Sequence, residues 1–186
     1  MTGLIILLIV IVLLAIWCAS IYNGLIRSRN TVDEGFSTMD VYLKKRHDLI
    51  PNLVETVKAY AKHESETLQK VTEARKAAMA AGSEAAKAAS ENELSRTLRS
   101  LFAVAEQYPD LKANQNFLEL QRQLQSVEED IATSRKYYNA VVKEYNNKRE
   151  VFPNNLLSGM FGFEKRSMFE LDDLGDREEI KVDFGS

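Results

Sequence analysis

Apolar residues follow two regimes along this chain. From Leu4 to Ile21 no charge interrupts the run LIILLIVIVLLAIWCASI. As a helix at about 1.5 Å per residue, this stretch spans roughly 27 Å, close to the ~30 Å hydrocarbon core of a bilayer. Trp17 near its far end and Tyr22 just beyond it suit the interfacial aromatic belt. A cleaved signal peptide would want a positive n-region, and only Met1, Thr2 and Gly3 precede the run. A lipid-modified Cys18 would want a small residue before it, and Trp17 stands there. The pattern predicts an uncleaved transmembrane helix over residues 1–22.

Past Tyr22 the apolar positions recur at helical spacing. Val32, Phe36, Met39 and Leu43 step by four, three and four, one stripe on a helix that can run straight out of the apolar run. Pro51 lacks an amide hydrogen and suits the first turn of a helix. With Asp48 as N-cap, the reading is a tight turn near His47 and a second helix starting by Pro51 and Asn52. That helix carries Val54, Val57, Ala61, Leu68, Val71 and Ala78. Glu64 and Arg75 fall in the same register and would need partners if buried. Eight alanines between Ala77 and Ala89, with Gly82 and Ser83 among them, predict a frayed, mobile connection.

Ser90-Glu91-Asn92-Glu93 fits a capping box opening a third helix, which carries Leu94, Leu98, Leu101 and Ala105 and closes at Tyr108-Pro109. A fourth helix starts near Asn114 or Asn116. Its stripe is Phe117, Leu120, Leu124, Val127, Ile131, Ser134, Tyr138, Val141 and Tyr145, the three/four alternation of a coiled-coil seam. Tyr138-Asn139 recurs seven residues on as Tyr145-Asn146, so both pairs share a face. Phe152, Pro153 and Asn154 then end the helix, and a hook bearing Leu156, Leu157, Met160, Phe161 and Phe163 follows. The fold class is all-α: an N-terminal transmembrane helix, then an antiparallel, elongated four-helix bundle over 23–163 and a short irregular tail over 164–186. That tail, with strand-like alternation only at Ile180 to Phe184, is expected to be poorly ordered.

Composition changes this picture little. Eight glycines and three prolines suit long helices with few turns. The net charge of −3 gives no reason to expect a nucleic-acid partner. From Glu164 onward stand eight acidic and four basic residues, so the acidic surplus lies in the tail. Nothing basic precedes the apolar run, whereas Arg27, Arg29, Lys44, Lys45 and Arg46 follow it. The positive-inside rule then puts the N-terminus outside and the bundle in the cytoplasm. Cys18, the one cysteine, lies in the apolar run, so no intrachain disulfide forms.

Several long motifs together resemble one family. The stretch KKRHDLIPNLVETVKAYAKHE, the Ala74-Arg75 pair, and YNAVVKEYNNKREVFPNN with Gly162-Phe163-Glu164 are similar to the LemA family, as is the approach Ser28-Arg29-Asn30-Thr31-Val32. The resemblance runs from the N-terminal span to about Phe169. It implies a membrane-anchored bacterial helical bundle and no activity, because the family is not tied to a defined reaction.

Chemistry in the residues themselves is sparse. His63-Glu64 starts like H-E-x-x-H, but Thr67 stands where the second histidine would be. Gly159 and Gly162 lack the spacing of a phosphate-binding loop, and no G-x-S-x-G occurs. A di-iron bundle would need Glu-x-x-His pairs, and none is found. No cofactor, metal or catalytic residue is expected. An Asn beside a heptad seam usually sets helix register, and that is the reading preferred for the Tyr-Asn repeat over a ligand pocket. For the hook, capping the bundle core is preferred over resting against the membrane. The expected function is a membrane-tethered scaffold or adaptor with unidentified protein partners, self-association being one route. The alternative is a membrane-bound ligand sensor or enzyme that uses the Tyr-Asn face.

Overall fold

The computed structural model describes residues 1–170, and all their regular structure is helical. The helices are α1 (Thr2–Tyr60), α2 (Ser65–Ala80), α3 (Glu84–Ala105), α4 (Pro109–Lys112), α5 (Gln115–Glu150) and α6 (Asn154–Met160). Among the described residues this is the expected helical bundle, with one long N-terminal helix whose first part is apolar. Packing divides the described residues into two units: residues 1–48 with 121–168, and residues 49–120 with 169–170.

Helix α1 passes through Pro51 without interruption. The turn near His47 is therefore absent, and Asp48 is an exposed mid-helix residue, not an N-cap. A proline inside a helix removes one backbone bond and ordinarily costs about 3 kcal/mol. Here the apolar seam keeps its phase across it. Val32, Phe36, Met39, Leu43, Arg46, Ile50, Leu53 and Val57 alternate steps of four and three, and all but Phe36 are buried. A chain that stopped and restarted would rotate this seam away from its neighbours, so burial outweighs the local penalty. The first two dozen residues have no such seam. Leu4 is 72% exposed and Trp17 48%, and this part of α1 is long and apolar enough to cross a membrane.

In the first unit, α1 and α5 run antiparallel. Gly24 lies beside Lys148, Gly35 beside Tyr137 and Val141, and Arg46 beside Glu128. Gly35 permits the close approach, because a Cβ there would stand 3.3 Å from Val141 Cγ2. Arg46 is almost wholly buried and donates to Glu128 at 2.7 Å, which compensates part of the cost of burying its charge. The edge of Phe36 meets Tyr138. Along α5 the predicted stripe is buried throughout except at Leu120, which is half-buried.

In the second unit, α2 and α3 pack as a hairpin. The alanine-rich stretch is helical on both sides, because alanine is the best helix former, and only residues 81–83 break it. Ser83 caps α3, its Oγ accepting from the Ala86 amide at 3.2 Å. Ser90 is thus inside α3, its Oγ donating back to Ala86, and the capping box does not open the helix. The turn between α1 and α2, at residues 61–64, carries neither glycine nor proline. Nearby, Tyr108 donates to Glu64 at 3.0 Å and Asn114 donates to Tyr60 Oη at 2.8 Å. The helix expected to run from Pro51 through Ala78 is therefore broken here, and Glu64, half-buried in the turn, is partnered by Tyr108. Asn114 Oδ1 accepts from the Phe117 amide at 3.0 Å, so α5 opens where expected. It ends at Glu150, ahead of the cis Phe152–Pro153 peptide.

Candidate functional site

The most organised polar site is built on the Tyr-Asn face of α5. Tyr138, Tyr145 and Asn146 are all buried, and what they meet is the chain's own extended segment after Phe163. Tyr145 Oη donates to the Glu164 carbonyl at 2.9 Å, and Tyr138 Oη donates to the Ser167 carbonyl at 2.9 Å. Between them, Asn146 uses both ends of its amide on Arg166. Nδ2 donates to the Arg166 carbonyl at 2.9 Å, and Oδ1 accepts from the Arg166 amide at 3.0 Å.

The spacing has a simple cause. Seven residues of helix rise about 10.5 Å, and three residues of extended chain advance about 10 Å. Two tyrosines seven apart therefore reach carbonyls three apart, with the strap running back against the direction of α5. The Asn146 amide copies the paired bonds of a strand neighbour, so the clasp holds backbone and not side chains. Two side-chain contacts add to it: Arg166 pairs with Asp33 of α1, and the Arg29 guanidinium lies 5.6 Å over the buried Phe163 ring. Asn139 is half-buried beside Tyr138.

Burial holds the Tyr145 phenol above its ordinary value of 10.0, while Arg149, Arg166 and Arg29 pull part of the way back. The raised value belongs to the folded state. The clasp's contribution is therefore complete below about pH 10, the ordinary phenol range, and is lost as pH rises through the raised value. A tyrosine absorbance titration should show two phenols ionising late, Tyr108 through its bond to Glu64 and Tyr145 through burial, with release of the strap accompanying the Tyr145 step. Tyr145→Phe should remove one of the two late ionisations, leaving that of Tyr108, and abolish the alkaline release.

The other predicted positions divide. Pro51 and Asn52 are exposed on α1, and the Asn52 carbonyl accepts from Thr56 Oγ1 at 2.7 Å. Asn154 Nδ2 donates to the Lys148 carbonyl at 2.8 Å and folds α6 back on the end of α5. Phe163 is buried, whereas Phe152 and Phe161 are 78% and 55% exposed. Among the described residues no three of His, Cys, Asp and Glu come together as metal ligands. An open groove of about 520 Å³ is lined by Val54, Glu55, Lys58, Leu68, Glu73 and Lys76 among others.

The strap itself was missed by sequence reasoning. Residues 164–168 belong to the stretch expected to be loose, yet their backbone is bonded to α5; in the second unit, Asn92 donates to the Glu170 carbonyl at 3.1 Å. The heptad repeat of Tyr-Asn was the available signal, but nothing local says that its partner is an extended chain. The strand-like stretch Ile180 to Phe184 lies outside the described residues.

Comparison with known proteins covers this site. The chain is similar to Protein LemA of Metamycoplasma hominis, with 24% identity across 87% of this chain and 73% of that one. It also resembles two magnetosome proteins MamQ of Paramagnetospirillum magneticum, each 34% identical over 42% of this chain and 29% of the relative. The sequence pattern of the LemA family matches residues 35–184, a range that takes in the seam, the clasp and the strap. With a match over that length, the protein belongs to the LemA family.

Proposed function

We propose that this LemA-family protein is a membrane-anchored helical scaffold of the bacterial cell membrane, with its bundle in the cytoplasm. The observation that carries the reading is α1: one unbroken helix whose first part is apolar and exposed all round and whose later part is a buried seam. A surface of that size and apolarity is costly in water, and a bilayer is the solvent that suits it. Arg27 and Arg29, both exposed just past the run, support a cytoplasmic bundle. Arg46 does not count toward that bias, since it is neutralised inside the fold by Glu128.

No catalytic activity is part of this reading. A ligand sensor or enzyme working from the Tyr-Asn face would first have to displace the strap that covers it. A scaffold needs no open pocket, only a rigid surface for protein partners or for a second copy. Protease added to intact cells should leave the bundle uncut, and lysed cells should yield cleavage after Lys and Arg of the exposed faces. Cleavage in intact cells overturns the orientation, and recovery of the full chain in the soluble fraction overturns the anchor.

A further inference from the structure

The segment after α5 carries a second apolar surface. Val151, Phe152, Leu156, Met160 and Phe161 are 53%, 78%, 60%, 77% and 55% exposed. Five large apolar side chains within eleven residues are more than scattered surface hydrophobics. Nor are they caps on the core. Asn154 and Ser158, one turn apart, fasten α6 to the Lys148 and Arg149 carbonyls at 2.8 and 3.1 Å. Leu156 and Met160 lie two residues further round each time, about 200° away at 3.6 residues per turn. The fastened face and the apolar face are opposite.

Where this surface lies decides what covers it. The Phe161 ring packs edge-on against Tyr22 at 5.0 Å between centroids, and Phe163 meets the same ring at 5.7 Å. Tyr22 is the residue directly after Ile21, where the apolar run gives way to Tyr22-Asn23-Gly24. The hook is therefore level with the end of the run. Just beyond, the Lys148 side chain lies within 3.5 Å of where a Gly24 Cβ would be, and Arg29 covers Phe163. Apolar side chains, then an aromatic layer, then cations is the order of a bilayer boundary: acyl chains, interface, phosphates.

We propose that residues 151–161 form a membrane-interface collar, with Phe152, Leu156, Met160 and Phe161 seated at the headgroup–acyl boundary of the bilayer that holds α1. Lys148 and Arg29 face the phosphate layer behind them. The proposal rests on the anchor reading, because the collar is placed by its contact with Tyr22. Its consequence is a two-point attachment. A lone helix can rotate and tilt freely, whereas a collar fixes the first unit's orientation to the membrane plane.

The test uses the full chain with Cys18→Ala, reconstituted in phosphatidylcholine vesicles containing brominated lipids. Single cysteines replace Leu156, Met160, Ile11 or Val41, each labelled with a small fluorophore. Labels at 156 and 160 should be quenched several-fold more than at 41, and best by bromines near the top of the acyl chain. The label at 11 should be quenched best by deep bromines. If 11 is quenched while 156 and 160 match 41, the collar is overturned and the anchor stands. If 11 is not quenched, the anchor reading fails and takes the collar with it.

Discussion

Replacing Asn146 by alanine is expected to release the strap over residues 164–168 while leaving the helices in place. The substitution removes both bonds to the Arg166 backbone at once. Each partly buried hydrogen bond is worth about 1 kcal/mol net, so the local loss is about 2 kcal/mol. Hydrogen exchange at the Arg166 amide should then speed up by roughly 30-fold, the factor that such an energy sets. Tyr138→Phe, which keeps the ring against Phe36 and loses the bond to Ser167, should cost about half as much. The two changes act on one strap, so the double variant should depart from additivity. Unchanged protection at Arg166 in Asn146→Ala would mean that the strap is held by its flanking aromatics and the Asp33 pair alone. A general loosening of α5 instead would restore the register-setting role.

Pro51→Ala is expected to stabilise the protein. Pro51 is exposed in the interior of α1, where alanine is better by up to about 3 kcal/mol. Some of this gain is returned, because proline also restricts the unfolded chain, so an increase of about 1–3 kcal/mol is expected. Thermal or denaturant unfolding of the full chain in detergent measures it. A lower midpoint would show that the bend or the missing bond at Pro51 is required by the packing around Ile50 and Leu53, and that the phase-continuous seam is not what carries the helix through. A higher midpoint together with loss of a cellular phenotype would mark the proline as a functional device kept at a cost in stability.

These two sites show where sequence reasoning succeeds and where it stops. The seam of α5 was legible residue by residue from Phe117 to Tyr145, because periodic burial is a property of the helix itself. The same test, applied to α1 with Arg46 included, would have shown the seam unbroken across Pro51. Reading Arg46 as a surface cation hid that, since its partner Glu128 is eighty-two residues away. The break at 61–64 had no local marker to read. Ser90 fits the S-x-x-E pattern and Ser83 does not, yet Ser83 caps α3, because the alanines after it are already helical.

By itself the sequence determined the helical class, the apolar run, the stop at Phe152-Pro153 and the family, since each rests on near-neighbour patterns. Tertiary structure alone decided that Pro51 stays inside a helix, that the Tyr-Asn repeat clasps the chain's own backbone, and that Phe163 is buried while Phe161 is not. Those outcomes depend on energies between residues far apart in the chain. A local preference of a few kcal/mol yields whenever distant packing offers more, and no window of sequence contains both terms.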